Sequence, residues 1–187
     1  VVGARNTGRI TVFRGLGNGS FQQGASRTTG FGYWMIVCSD LNGDGHLDVT
    51  SAASYSGACI HMGDGLGNLS LPQTFALDGS IATDTGDLDG DGDLDWVLSS
   101  FGAGEWYLLE NIGGVLTLTD TFFATKNPAC AIILDFDVDG ALDIAQIDEI
   151  SDEVLLLRNT PVCIADFNDD GTVNSTDVSD FVNAWFT

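Results

Sequence analysis

Asp87-Leu-Asp-Gly-Asp-Gly-Asp-Leu-Asp95 puts a carboxylate at every second position of a nine-residue stretch. The same pattern recurs at Asp40-Leu-Asn-Gly-Asp-Gly-His-Leu-Asp48 and at Asp135-Phe-Asp-Val-Asp-Gly-Ala-Leu-Asp143, so that successive starts are 47 and 48 residues apart. A second element keeps nearly the same period: Ile10-Thr-Val-Phe, Ile60-His-Met-Gly, Trp106-Tyr-Leu-Leu and Val154-Leu-Leu-Leu align at steps of 50, 46 and 48. The first two run into Gly15-Leu-Gly-Asn-Gly and Gly65-Leu-Gly-Asn-Leu, and the third into Asn111-Ile-Gly-Gly, each a hairpin-turn sequence. Each period therefore reads as strand, acidic loop, strand, short turn, strand, Gly-rich turn and fourth strand. Four antiparallel strands in about 40–50 residues is the size of one propeller blade. No segment of residues 1–160 keeps a helical apolar period. The expected fold is all-β, with β-propeller-type blades of four antiparallel strands, about three and a half in number.

In triplicate, D-x-[DN]-x-D-G-x-[LP]-D resembles the calcium-loop blades of the FG-GAP/VCBS repeat family, found in integrin-type heads and many secreted bacterial proteins. The resemblance covers residues 1–160. Asn42 stands for Asp in the first copy, and Val138 for the more usual Gly in the third, where Gly140 keeps the required glycine.

Calcium takes six to eight oxygens, and a curling loop turns alternate side chains inward onto one ion. In the second copy Asp87, Asp89 and Asp91 would give side-chain oxygens, Gly92 the sharp turn, Asp93 its carbonyl, and Asp95 would close the far side. The corresponding sets are Asp40, Asn42, Asp44, His46 and Asp48, and Asp135, Asp137, Asp139, Ala141 and Asp143. The seventh position varies among His46, Asp93 and Ala141, as a backbone-carbonyl ligand allows. Magnesium fits less well, since it prefers few protein ligands and retained waters.

A fourth acidic loop breaks the period. Asp166-Phe-Asn-Asp-Asp-Gly-Thr-Val-Asn-Ser-Thr-Asp177 offers Asp166, Asn168, Asp170, Thr172, Asn174 and Asp177 at EF-hand spacing, with Asp177 in place of the bidentate Glu. Val178, Phe181, Val182, Trp185 and Phe186 follow at helical spacing. This segment resembles one half of a type I dockerin repeat, which implies a short helix and, in the family, a cohesin-like partner; a dockerin ordinarily has two such units. The expected division is 1–160 propeller-like blades and 161–187 dockerin-like loop and helix, with three propeller-loop calcium sites and one EF-hand-like site.

The charge agrees. The chain has 27 Asp and Glu against 6 Lys and Arg, a net −21. That balance argues against electrostatic binding to nucleic acid or anionic membranes. Fourteen carboxylates stand at side-chain ligand positions of the four loops, and four bound calcium ions would bring −21 to −13. No apolar run is long enough to span a membrane, and a start at Val1 reads as a mature or trimmed product of an exported, extracellular protein. Cys38, Cys59, Cys130 and Cys163 show no CxxC spacing; two disulfides in any of three connectivities, or buried thiols, fit the count.

Nothing in the sequence assembles a catalytic set. His46 falls at a backbone-ligand position and His61 alternates with apolar strand residues. Trp96 and Trp106 read as inter-blade core; Tyr33 and Trp34 fit either core or sugar stacking. The repeats supply three inner halves but four outer halves, of which the first (residues 8–25) has no inner partner. Pro161 interrupts the last blade before its fourth strand. An unpaired edge invites another strand, from a longer parent chain or from a second copy. Head-to-tail copies would give a ring of seven blades or a filament. The functions that follow are adhesion or matrix building, with a carbohydrate-binding lectin or a non-catalytic domain of a polysaccharide-degrading protein as rivals.

Overall fold

The computed structural model of the chain describes residues 1–4, 6–28, 30, 32–53, 57–124, 127–160, 175, 176 and 179. Its strands form four antiparallel sheets in chain order. The first holds β1 (Val2–Ala4), β2 (Arg9–Gly15) and β3 (Phe21–Thr28), and the second β4 (Tyr33–Ser39), β5 (Asp48–Ala53), β6 (Gly57–His61) and β7 (Gln73–Phe75). The third holds β8 (Ser80–Gly86), β9 (Asp95–Ser100), β10 (Glu105–Ile112) and β11 (Val115–Phe123), and the fourth β12 (Pro128–Leu134), β13 (Asp143–Asp148) and β14 (Glu153–Leu157). Each acidic loop joins the first and second strands of its sheet.

Side chains alternate across a strand, and here both faces find a neighbouring sheet. In the third sheet Trp96, Leu98, Tyr107 and Leu109 pack with Ala52, Ala58 and Ile60 of the second. Val97 and Trp106 turn the other way, onto Ala131 and Ile144 of the fourth. Ile10 of the first sheet packs with Tyr33, Val49, Cys59 and Leu69 of the second. β5 and β9, the second strands of the two middle sheets, are buried along their whole length. Trp96 and Trp106 are core, as expected; Tyr33 is buried too, whereas Trp34 is exposed.

Several expectations are corrected. Three buried clusters join the four sheets in chain order, and no barrel or closed propeller forms among the described residues. The hairpin near residues 8–25 is not without a partner, because β1 pairs with β2. The alignment of the outer strands shifts by two. Val49–His61, Trp96–Leu109 and Ile144–Leu157 are equivalent cross-strand pairs, so Ile60 corresponds to Leu108 and Trp106 to Ala58. A slip of two keeps every side chain on its own face, which is why alternation did not detect it. Cys38, Cys59 and Cys130 are free thiols. The elements described are all strands, and the expected C-terminal helix is represented only by α-helical backbone at Ser175, Thr176 and Ser179. The loop from Asp166 to Asp177, the apolar stripe from Val178 to Phe186, and Pro161 and Cys163 lie outside the described residues. Of that segment Ser175, Thr176 and Ser179 are described; all are exposed, and Ser179 Oγ donates to the Ser175 carbonyl at 2.8 Å.

Candidate metal centre

The three loops are built by their own carboxylates. At position 1, Asp40 accepts the N–H groups of Asp44 (3.1 Å) and Gly45 (2.8 Å), Asp87 those of Gly90 (2.8 Å) and Gly92 (3.1 Å), and Asp135 those of Asp139 and Gly140 (both 3.2 Å). At position 3, Asn42 and Asp89 each take the N–H two residues on, at 3.1 Å. At position 5, Asp44, Asp91 and Asp139 do the same for His46, Asp93 and Ala141 (2.8, 2.8 and 3.0 Å). Such Asx turns in series need left-handed backbone between them. Position 4 has φ of 70° at Gly43, 79° at Gly90 and 61° at Val138.

Position 9 behaves differently. Asp48, Asp95 and Asp143 are buried, and each spans two elements. One oxygen takes the N–H of position 2, from Leu41 (3.0 Å), Leu88 (2.8 Å) or Phe136 (2.9 Å). The other takes an N–H at or just past the end of the third strand, from Gly63 (2.8 Å), Asn111 (2.9 Å) or Asn159 (2.8 Å). Each carboxylate oxygen keeps a lone pair after accepting one N–H. Burial raises Asp48 and Asp95 above the usual carboxylate range; the N–H donors oppose the shift, and Asp44, Asp40, Asp89 and Asp91 add to it. A bound cation would reverse the effect of those neighbours.

In the second loop Asp87, Asp89 and Asp95 bring carboxylate oxygens within 4.8 Å of one another, and in the third Asp135, Asp137 and Asp143 do so. Positions 1, 3 and 9 therefore converge. The equivalent trio in the first loop is Asp40, Asn42 and Asp48, where an amide replaces one carboxylate. Asp91 and Asp139 stand outside these trios, as do Asp44 and the position-7 residues. His46 and Asp44 are exposed, and the His46 ring lies against Gly65, where an added Cβ would meet Nδ1 at 2.4 Å. The third loop has a cation of its own: Arg158 Nε pairs with Asp137 Oδ2, and Nη2 reaches Asp139 Oδ2 at 3.4 Å.

Sequence reasoning passed over Asn111 and Asn159. Asn111 Nδ2 donates to the Leu41 carbonyl of the preceding sheet's loop (3.1 Å) and to that of Leu94 (3.3 Å). Asn159 Nδ2 repeats this one sheet later, to Leu88 (2.6 Å) and Leu142 (3.2 Å). These side chains clamp the first and second acidic loops to the sheet that follows each. The signal was present, since the two asparagines lie 48 residues apart, sixteen after the position-9 Asp. Gly63 occupies the equivalent place in the second sheet, with room for nothing more: a Cβ there would lie 2.1 Å from the Leu47 carbonyl oxygen.

FG-GAP-like repeats match residues 1–51, 40–98 and 87–145. The chain belongs to the FG-GAP-like repeat family. Each FG-GAP-like match ends just inside the strand that leaves an acidic loop, and neighbouring matches overlap on that loop. The FG-GAP-like matches stop at residue 145, short of the acidic loop from Asp166 to Asp177, and no dockerin repeat is matched there. No curated protein matches the chain.

Proposed function

We propose that this FG-GAP-like repeat chain is a calcium-stabilised extracellular binding or structural module rather than an enzyme. The observation that carries the reading is the convergence of three carboxylates in each of two equivalent loops. Unneutralised, those groups repel; one calcium per loop would satisfy them with hard oxygen ligands. The side-chain ligands are proposed to be Asp40, Asn42, Asp44 and Asp48, then Asp87, Asp89, Asp91 and Asp95, then Asp135, Asp137, Asp139 and Asp143. Position 7 is proposed to supply its carbonyl, and the loop from Asp166 to Asp177 a fourth site. Metal binding then contributes to folding directly. His61 supports the non-catalytic part of the reading: it is buried, with Nδ1 bonded to the Ser70 carbonyl (3.0 Å) and Nε2 to Tyr33 Oη (2.9 Å).

Thermal melts with calcium and with chelator test this. Chelation is expected to lower the melting temperature sharply, and Asp89→Ala to weaken calcium binding far more than Asp93→Ala. A melt indifferent to chelator, with no metal in the purified protein, would sink the reading. A second reading, carbohydrate binding, is favoured by one feature: a polar groove of about 560 Å³ between the first two sheets, lined by Arg14, Gln22, Gln23 and Asn68. A glycan array on the wild type and on Arg14→Ala separates the two readings.

A further inference from the structure

The contact between the third and fourth sheets repeats the contact between the second and third, with one large side chain replaced by a smaller one. In the earlier contact Trp96 packs with Leu41, Ile60 and Leu109, which are 1–5% exposed. Phe75 meets its ring edge-on, with centroids 5.2 Å apart and planes at 82°, and Trp96 Nε1 donates to Thr83 Oγ1. The strand registers give the counterparts one sheet later: Ile144 for Trp96, Ala131 for Thr83, Phe122 for Phe75 and Glu110 for Met62. Leu88, Leu108 and Leu157, which correspond to Leu41, Ile60 and Leu109, are only partly buried. A cavity of about 450 Å³ opens among them, with Phe122, Ile144 and Glu110 in its wall. Close-packed interiors leave few voids larger than a water molecule, and this one has the size and the mostly apolar wall of a small-molecule site.

The wall states what it would hold. Phe122 offers a ring where Phe75 offers one to the indole, and edge-to-face pairing of rings is favourable. Ala131 supplies no hydroxyl acceptor for an indole N–H, so a phenyl ring suits the place better than an indole. Glu110 puts a carboxylate where the earlier contact has a thioether. It is half-buried, and no ion pair engages it among the described residues. Arg158, the cation in the wall, is already held by Asp137 and Asp139. The remaining charge of the site is therefore negative.

We propose that this cavity binds a small phenyl-bearing organic cation, a primary arylalkylamine. Its ring would take the place that Trp96 fills one sheet earlier, and its ammonium would meet Glu110 in a charge-assisted hydrogen bond. The proposal goes beyond the calcium reading and does not rest on it. Asp89 and Asp95 border the cavity at its loop end, but Glu110 keeps its charge whether or not an ion sits on them.

The test is calorimetry on the full chain in calcium with phenethylamine, its neutral isostere phenethyl alcohol and its anionic isostere hydrocinnamate. Saturable binding of phenethylamine at one site per chain is expected, with the alcohol weaker by about tenfold or more and hydrocinnamate weaker still. Glu110→Gln should bring the amine down to the level of the alcohol and leave the alcohol unchanged. Ile144→Trp with Ala131→Thr rebuilds the earlier contact, and should abolish binding of both while raising the melting temperature. If that pair fails to fold, Glu110→Gln decides alone. Absence of saturable amine binding, equal binding of the three probes, or an amine affinity that Glu110→Gln does not change would overturn the proposal. A preference for hydrocinnamate would overturn it too, in favour of Arg158 as the recognising group.

Discussion

The second and third sheets share strand order and an acidic loop, and three of the equivalent places at which they differ set them apart. The second has Asn42, His61 and Gly63 where the third has Asp89, Leu109 and Asn111. The third sheet is fastened backwards by Asn111 onto the second sheet's loop. The second has no acidic loop behind it to fasten to, since the first sheet's strands are joined by other turns, and its equivalent of the clamp has shrunk to glycine. Loop geometry and loop tethering are thus separable: the position-9 Asp builds the loop in the second, third and fourth sheets, and an asparagine ties the first two of these loops to the next sheet.

The largest effect is expected where the two sheets agree. Asp95→Ala and Asp48→Ala each orphan two backbone N–H groups and should cost about 3 kcal/mol in chelator, read from urea unfolding. If Asp48→Ala is tolerated and Asp95→Ala is not, the equivalence of the two loops is broken. Asn111→Ala comes next, at about 2 kcal/mol for two lost bonds to buried carbonyls. Gly63→Ala should also destabilise, because the new Cβ meets the Leu47 carbonyl oxygen at 2.1 Å; a neutral result there would mean that the second sheet has slack the structure does not show.

Asn42→Asp should sharpen the comparison by erasing one difference. Calorimetry is expected to show the first loop binding calcium about tenfold more tightly, about 1.4 kcal/mol, and Asp89→Asn to weaken the second loop by a similar factor. His61 separates the sheets by pH. Burial, the largest cause, holds its imidazole below the ordinary histidine range; the Ser70 carbonyl opposes the shift and Arg27 adds to it. The neutral ring therefore contributes stability that is present above about pH 6.5 and is lost as pH falls from there toward the lowered value. His61→Leu should flatten the fall in stability as pH drops below about 6.5, read from urea unfolding at a series of pH values. An unchanged slope would assign that titration to other groups. The smallest effect concerns the third loop. Val138 holds φ 61° where the other loops have glycine, an uncomfortable conformation for a β-branched residue. Val138→Gly should raise stability by about 0.5 kcal/mol after the entropy of the added glycine is subtracted, measurable by denaturation.

Much of this was legible in the residues. The 47- and 48-residue steps located three loops, and alternation located the strands and put Trp96 and Trp106 in the core. Two kinds of information were not legible. A two-residue slip is invisible to a period of two, so the pairing of Ile60 with Trp106 had to yield to the register of His61 with Leu109. The double duty of Asp95, half loop and half strand anchor, depends on which N–H lies sixteen residues away, and coordination chemistry alone does not ask that question. The short strand β1 was missed because three residues carry no period at all.

The asparagine clamp also has a direction. Asn111 grasps the loop made before it, and Asn159 the next one; neither reaches forward. During synthesis each loop leaves the ribosome before the residue that fastens it, by 70 residues for Leu41 and 71 for Leu88. The third and fourth sheets are therefore finished in arrears, each sealing the loop before it. The carbonyl in the third loop that corresponds to Leu41 and Leu88 belongs to Phe136, and neither asparagine clamp reaches it.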